Sequence, residues 1–193
     1  QDQIIAGRTV AVGPDLPPDV GRATLLARIV SARLGGSGMA PALFDHLCAV
    51  FASGLAPAIP QWGSIGASDL TQNAAMAAAV LGRGRFCAGS LAQHGLTAPV
   101  LGPKDAMALI NHSGATVAQT ALALGRAGQA LAVAKSVIVL TYQGFGANSS
   151  VLAAEGNSLR HSPGQAAAAA WFRSALQGAD QQPRRIQEAL SLR

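Results

Sequence analysis

The sequence predicts an all-α protein built around one long, apolar helix. Half of its 193 residues are hydrophobic, only 12% are charged and 4% are aromatic. Residues 115–140 form one apolar stretch with few charges, which is typical of a central bundle helix that is buried on most sides. Residues 20–34 place apolar side chains at helical spacing with arginines between them, which indicates a second helix.

The first third of the chain is predicted to hold an irregular N-terminal segment followed by two helices. Asp19 follows a proline-rich loop and can cap the first of these helices, while Pro41 can occupy the first turn of the second. The predicted elements are an extended or irregular segment over 1–13, a loop over 14–18, a helix over 20–34 that ends at the glycines of 35–38, and a helix over 41–54.

The rest of the chain is predicted to be helical, with one region of possible β structure. That region, residues 86–102, is rich in glycine and could hold a β ribbon. The other predicted elements are a loop over 57–66, helices over 70–81, from Pro103 to 110, and over 115–140, a break over 144–150, and shorter helices over 166–176 and 184–190.

Residues 63–70 read Gly-Ser-Ile-Gly-Ala-Ser-Asp-Leu and run directly into an alanine-rich helix. Taken alone, this motif favours a simple turn in which Ser64 or Ser68 caps the helix. A chemical interpretation is also open. When an Ala-Ser-small tripeptide is held in a tight turn, the amide nitrogen of its third residue can add to the carbonyl carbon of its first. Loss of two water molecules then leaves an electrophilic ring, here from Ala67, Ser68 and Asp69.

The flanking sequence favours the chemical interpretation, because five blocks occur in one order along nearly the whole chain. They are Gly-Gly-Ser-Gly-Met-Ala-Pro at 35–41, Ile-Pro-Gln-Trp and the motif at 59–70, Pro-Lys-Asp-Ala-Met-Ala-Leu-Ile-Asn at 103–111, His-Ser-Pro-Gly-Gln at 161–165, and Gln-Glu-Ala-Leu-Ser-Leu-Arg at 187–193. Together they resemble the histidine and phenylalanine ammonia-lyase family, which carries a 4-methylideneimidazol-5-one (MIO) group.

The resemblance implies a long-helix bundle of the ammonia-lyase (fumarase/aspartase-like) type with a small irregular N-terminal segment. It implies that residues 1–193 are part of a single MIO-type lyase domain and make up well under half of a typical family polypeptide. The family's N-terminal loop with a catalytic tyrosine and its C-terminal helices would then be absent from this chain.

The resemblance also implies elimination of ammonia from an α-amino acid, histidine or a related polar or aromatic one, with MIO as a self-made cofactor. The third ring residue of the family is glycine, whereas Asp69 stands here as if the glycine had been deleted. Since a Cβ obstructs the attack, the ring forms with more strain, does not form, or the sequence lacks one residue. The competing functions are an aminomutase, a catalytically inactive relative with a structural or regulatory role, and a helical small-molecule-binding domain.

Five candidate substrate-binding residues follow from the same resemblance. Asn111 matches the asparagine beside the ring, and Arg193 matches the arginine that binds the substrate carboxylate, a role suited to a guanidinium. Gly7 and Arg8 match the pair that reads the substrate side chain, and Leu190 replaces an active-site tyrosine. The alternatives are a helix-interior Asn111, an exposed Arg193 and a surface ion pair at Arg8. An Arg8 that points into the pocket would favour a polar or anionic substrate side chain.

Charge and spacing argue against several other functions. The net charge of +5 comes from scattered basic residues without interleaved aromatics, which argues against a nucleic-acid partner. The four histidines lack metal-ligand spacing, so no metal site is expected. The apolar stretch over 131–142 contains Lys135 and is too short to span a bilayer. The resemblance implies a cytoplasmic homotetramer in which several subunits build each active site.

Overall fold

The computed structural model describes residues 1–64, 66–179 and 183–187. They form two compact units, Gln1–Leu124 and Gly125–Arg193. The assignment of residues 1–193 to a single lyase domain stays a prediction. The all-α prediction is confirmed, since helices dominate both units and the described residues form one short two-stranded ribbon.

The first unit contains five complete helices and the start of a sixth. The two strands of the ribbon pair antiparallel, with Val12 opposite Trp62 and Asp15 opposite Pro60. The elements are α1 (Asp2–Ala6), β1 (Val12–Asp15), α2 (Pro18–Arg33), α3 (Pro41–Ala52), β2 (Pro60–Trp62), α4 (Leu70–Val80), a 3-10 turn (Ala92–His94), α5 (Asp105–Ile110) and the first residues of α6 (Gly114–Phe145).

The alanine-rich helix α4 forms the centre of the first unit. Every residue from 72 to 80 is buried, because small alanine side chains allow neighbouring helices to approach from several sides. Met76, Leu25 and Leu47 are almost fully shielded from solvent in the same core. Full burial of one such side chain contributes roughly 1.5–3 kcal/mol. Residues 67–69 therefore lead directly into a helix whose residues 72–80 are all buried.

The second unit consists of the remainder of α6 and three shorter elements around a small core. Tyr142, Leu152 and Leu176 are buried in this core, with Phe172 packed against them. The shorter elements are a 3-10 turn (Ser149–Leu152), α7 (Ala154–Ser158) and α8 (Pro163–Ala175). Ser162 caps α8 by accepting a hydrogen bond from the Gln165 amide, as expected for a serine at a helix N-terminus.

Several predicted elements differ from the structure at their boundaries or in kind. Residues 2–6 form α1 rather than extended chain, because the Gln1 side chain ties this short helix to Pro103 and Ala106. Pro17, not Asp19, is the N-cap of α2. The ribbon joins β1 to β2 instead of lying within 86–102. Residues 184–187 are not helical, and 188–190 lie outside the described residues.

The long helix α6 is confirmed and extends further than predicted, but the prediction that it is buried on most sides is wrong for this chain, because residues 123–134 are all exposed. An 18-residue window within Asp105–Phe145 has a mean hydropathy of 1.3 and is unburied, so by length and composition alone this segment could cross a membrane. The argument that the apolar stretch is too short to do so is therefore wrong. The same composition is typical of a central bundle helix that other helices cover.

Candidate active site

The loop over residues 63–69 connects β2 to α4 and is anchored at both ends. The Gln72 side chain donates to the Gln61 carbonyl oxygen at 2.8 Å, and the Thr71 hydroxyl donates to the Gly63 carbonyl oxygen. Gly66 adopts φ +86°, a conformation that glycine tolerates and other residues avoid. The chain that enters the loop is therefore tied to the first turn of α4.

Ser68 and Asp69 both donate to the main-chain oxygen of His112. The Ser68 hydroxyl lies 3.1 Å from this oxygen and the Asp69 amide nitrogen lies 3.2 Å from it. Ser68 is 8% exposed and Asp69 is 2% exposed. The interpretation of Ser64 or Ser68 as the cap of α4 is wrong, because Asp69 is the N-cap residue and the Ser68 hydroxyl is directed to His112 instead.

The Asp69 carboxylate joins the start of α4 to the start of α6. Its two oxygens accept hydrogen bonds from the Thr116 amide at 2.8 Å and from the Thr116 hydroxyl at 2.9 Å. The Thr116 amide is one of the first four of α6, which have no partner inside the helix. Two helix N-termini thus meet beside residues 67–69, and their partial positive charge favours a developing anion there.

His112, whose main-chain oxygen accepts the hydrogen bonds from Ser68 and Asp69, has a side chain that is neutral near pH 7. Its Nε2 lies 2.8 Å from the Leu109 carbonyl oxygen. Burial, assisted by the positive charge of Arg28, lowers the pKa of His112 to about 4, against smaller opposing effects of the Leu109 hydrogen bond and Asp69. Arg28 is itself 4% exposed. Its Nη1 contacts the Ser31 hydroxyl at 3.3 Å, while Nε and Nη2 are buried without a hydrogen-bond partner.

Asn73, on α4, holds the chain segment that carries His112. Its side-chain nitrogen donates to the main-chain oxygens of Ile110 and His112, the first at 3.0 Å. The Asn73 side chain is fully buried, and its Oδ1 has no hydrogen-bond partner. The resemblance block at 103–111 stops one residue before His112. His112 was not predicted as a site residue from the sequence. Its place directly after that block was the signal that could have identified it.

The predicted substrate-binding residues are only partly brought to this loop. Asn111 is exposed and ends α5, next to His112, so it is not a helix-interior residue. Gly7 ends α1, and the Arg8 guanidinium donates to the Ile4 carbonyl oxygen of the same helix at 3.1 Å. Because Val12 faces Trp62 in the ribbon, the chain that precedes Val12 approaches the loop that follows Trp62. Leu190 and Arg193 lie outside the described residues.

An open, mostly apolar hollow of about 420 Å³ lies between α2 and the first turns of α6. Leu26, Val30 and Val117 line it together with His112 and Ser31. Across residues 1–64, 66–179 and 183–187, no group of three or more histidine, cysteine or carboxylate side chains could hold a metal ion.

Comparison with known proteins assigns the chain to a family. The family model described as aromatic amino acid lyase matches residues 1–193. The chain belongs to the aromatic amino acid lyase family. It is 34% identical to the histidine ammonia-lyase of Paracidovorax citrulli over 210 residues, covering 100% of this chain and 40% of that protein. It is 33% identical to the histidine ammonia-lyase of Anaeromyxobacter sp. over 196 residues, covering 93% of this chain and 39% of that protein.

A solved structure of the same family has the same fold. The tyrosine aminomutase from Streptomyces globisporus superposes with a TM-score of 0.85 at 27% identity, covering 92% of this chain and 35% of that one. The predicted family and the predicted fold type are therefore both confirmed. The chain spans about two fifths of the length of the curated lyases that it matches. Its relatives include both lyases and an aminomutase, so family membership leaves the reaction itself to be assigned.

Proposed function

We propose that this chain is part of an ammonia-lyase that removes ammonia from an α-amino acid, histidine or a related polar or aromatic one. The observation that carries the proposal is the arrangement of Ser68 and Asp69 at the start of α4. The serine hydroxyl and the following amide nitrogen share one acceptor, the His112 oxygen, in a largely buried turn. These are the two groups that must react if Ala67, Ser68 and Asp69 form an MIO ring.

The residues present fit the requirements of that ring. Closure uses only main-chain atoms and the serine side chain, and all of these exist at residues 67–69. The extra side chain at the third position is held by Thr116 at the start of α6, so the Asp69 carboxylate has a fixed place of its own. Helix N-termini beside the loop provide the positive potential that favours an electrophile.

The atoms of ring closure balance as follows. The Asp69 nitrogen bonds to the Ala67 carbonyl carbon, and the Ala67 oxygen leaves as water with the hydrogens of the Asp69 and Ser68 amides. A second water takes the Ser68 hydroxyl and the hydrogen of its α-carbon. The finished group would supply an electrophile for the amino group of the substrate, which is the chemistry that would let ammonia leave. Asn111, which follows α5 beside His112, is one of the described residues proposed to contact the substrate.

The substrate side chain is proposed to be read by the segment that contains Gly7 and Arg8. The ribbon register supports this role, since it brings the chain before Val12 toward Gly63, the residue after Trp62. An activity screen on the purified protein compares histidine, tyrosine, phenylalanine and acidic amino acids as substrates. The parent and an Arg8→Leu variant are screened together. A polar or acidic preference that disappears in Arg8→Leu supports the assignment, and a phenylalanine preference in the parent contradicts it.

Assembly into a homotetramer in the cytoplasm is part of the same proposal. The surface of α6 supports an oligomer, because Leu131, Val133 and Leu140 are 64%, 64% and 66% exposed. Several apolar side chains exposed to this extent on one helix are unusual in contact with water and typical of an interface. Light scattering on Leu131→Glu and on the parent protein tests it. An oligomer that is lost in the variant supports the proposal, and a monomeric parent contradicts it.

A catalytically inactive relative is the second candidate, and the missing glycine is the observation that favours it. The two candidates differ in one measurement, the mass of the peptide that spans residues 64–72. A mass lower by two water molecules, abolished together with the near-ultraviolet absorbance in Ser68→Ala, supports the lyase. An intact serine supports the inactive relative. Insertion of glycine between Ser68 and Asp69 restores the family pattern, and we expect it to raise the modified fraction if the Asp69 side chain slows closure.

A further inference from the structure

The carbonyl oxygen of His112 accepts hydrogen bonds from three donors on α4 and the loop before it. They are the Ser68 hydroxyl at 3.1 Å, the Asp69 amide at 3.2 Å and the Asn73 side-chain nitrogen. A carbonyl oxygen has two lone pairs, so three donors share it and its position decides how well each is held. Two of these donors, the Ser68 hydroxyl and the Asp69 amide, are groups that ring closure consumes.

The His112 side chain fixes the main-chain oxygen of its own residue. Its Nε2 lies 2.8 Å from the Leu109 carbonyl oxygen, so this nitrogen carries the proton and donates. Leu109 lies in the last turn of α5, where carbonyl oxygens have no partner within the helix. The imidazole therefore closes a short loop of chain between residues 109 and 112 and restricts the turn that leads into α6.

The packing around the imidazole leaves it little room to move. Gly114, the first residue of α6, lies against the ring, and a Cβ at that position would overlap the ring atoms Cε1 and Nδ1. Arg28 on α2 and Asp69 at the start of α4 are the charged groups that act on this ring. The ring is thus held by a hydrogen bond on one side and by the α6 backbone on another.

We propose that His112 is a positioning residue for the self-modification of residues 67–69. Its imidazole holds the residue 112 carbonyl where that oxygen accepts the Asp69 N–H and the Ser68 hydroxyl. A hydrogen bond from the Asp69 N–H to this oxygen draws the proton away and makes the nitrogen a better nucleophile toward the Ala67 carbon. The inference rests on the proposed function, because it has a role only if the ring forms.

The test follows, in the whole chain after its expression, the rate at which the 64–72 peptide loses two water molecules. Four variants are compared with the parent: His112→Phe, which keeps an aromatic ring but has no donor; His112→Gln, whose amide can donate to Leu109; Gly114→Ala, which displaces the imidazole without deleting it; and His94→Phe, a control at an exposed histidine of the first unit. Circular dichroism establishes that each variant is folded.

We expect the rate of modification to fall about tenfold to a hundredfold in His112→Phe and Gly114→Ala, the effect of moving a reacting group by up to about 1 Å. We expect His112→Gln to recover most of the parent rate and His94→Phe to match it. Gly114→Ala keeps the test decisive if His112→Phe does not fold. Parent-like modification in Gly114→Ala or His112→Phe overturns the inference alone. An unmodified parent protein overturns the proposed function together with it.

Discussion

Replacement of Asp69 by alanine tests whether its carboxylate holds α4 and α6 together. The carboxylate is 2% exposed and accepts two hydrogen bonds from Thr116, at 2.8 and 2.9 Å. A hydrogen bond to a charged group contributes about 1.5–3 kcal/mol, and a buried donor left unpaired adds to the loss. Asp69→Ala is therefore expected to lower the free energy of unfolding by about 3–5 kcal/mol. Thr116→Val, which removes only the hydroxyl donor, is expected to cost about 1.5–3 kcal/mol.

Urea denaturation followed by circular dichroism measures these free energies, and the double variant completes a thermodynamic cycle. The two changes should not add, because both remove the hydrogen bond between the carboxylate and the Thr116 hydroxyl. Asp15→Ala is the matched control: Asp15 is paired with Arg85, whose side chain is 68% exposed, and such surface pairs contribute about 0–1 kcal/mol. A loss at Asp69→Ala no larger than that of the control would refute the reasoning.

Three further variants test two groups near the site and the packing of α2. Because the pKa of His112 is about 4 in the folded chain and its ordinary value is about 6.5, the unfolded state binds the proton more readily. The contribution of neutral His112 to the free energy of unfolding should be fully present above about pH 6.5 and should be lost, by about 3 kcal/mol, as the pH drops toward 4. Urea denaturation at several pH values should show this slope in the parent but not in His112→Gln. Arg28→Met removes a buried cation with two unpaired nitrogens, so we expect unchanged or higher stability and a higher pKa of His112 by NMR titration. Gly21→Ala places a Cβ against the Pro57 carbonyl oxygen. Thermal unfolding should show a loss of about 1–3 kcal/mol in the free energy of unfolding. An unchanged melting temperature would contradict the close packing of α2 against the chain at Pro57.

Helices whose pattern is local could be predicted from the sequence alone. The alanine run that follows Leu70 and the apolar stretch that becomes α6 both carry their signal within consecutive residues. Elements that depend on distant partners could not. α1 has only five residues, too few to be stable alone. The side chain of its N-cap residue Gln1 donates to the Pro103 carbonyl oxygen and accepts from the Ala106 amide. The ribbon likewise pairs segments on either side of α2 and α3.

The candidate site shows the same division. The motif at 63–70 identified Ala67, Ser68 and Asp69 as candidates from residue types and from the blocks around them. It carried no information about what each polar group would contact. The acceptor for Ser68 and Asp69 lies more than 40 residues further along the chain, at His112. The donors to the Asp69 carboxylate lie still further, at Thr116. Only the packing of α4 against α5 and the start of α6 brings these groups together.

The contacts of Asp69 bear on the absence of the family's glycine at the third ring position. The family pattern places glycine and aspartate in succession, whereas this chain has only Asp69. The Asp69 side chain holds Thr116 at the start of α6, and its amide nitrogen is the atom that ring closure needs. Asp69 therefore has two roles: its carboxylate joins α4 to α6, and its amide nitrogen would be the nucleophile in ring closure. An anchor resists displacement, while nucleophilic attack requires the nitrogen to approach the Ala67 carbon. On the positioning role proposed for His112, ring formation in this chain depends on whether the turn at residues 109–112 already holds that nitrogen within reach of the Ala67 carbon.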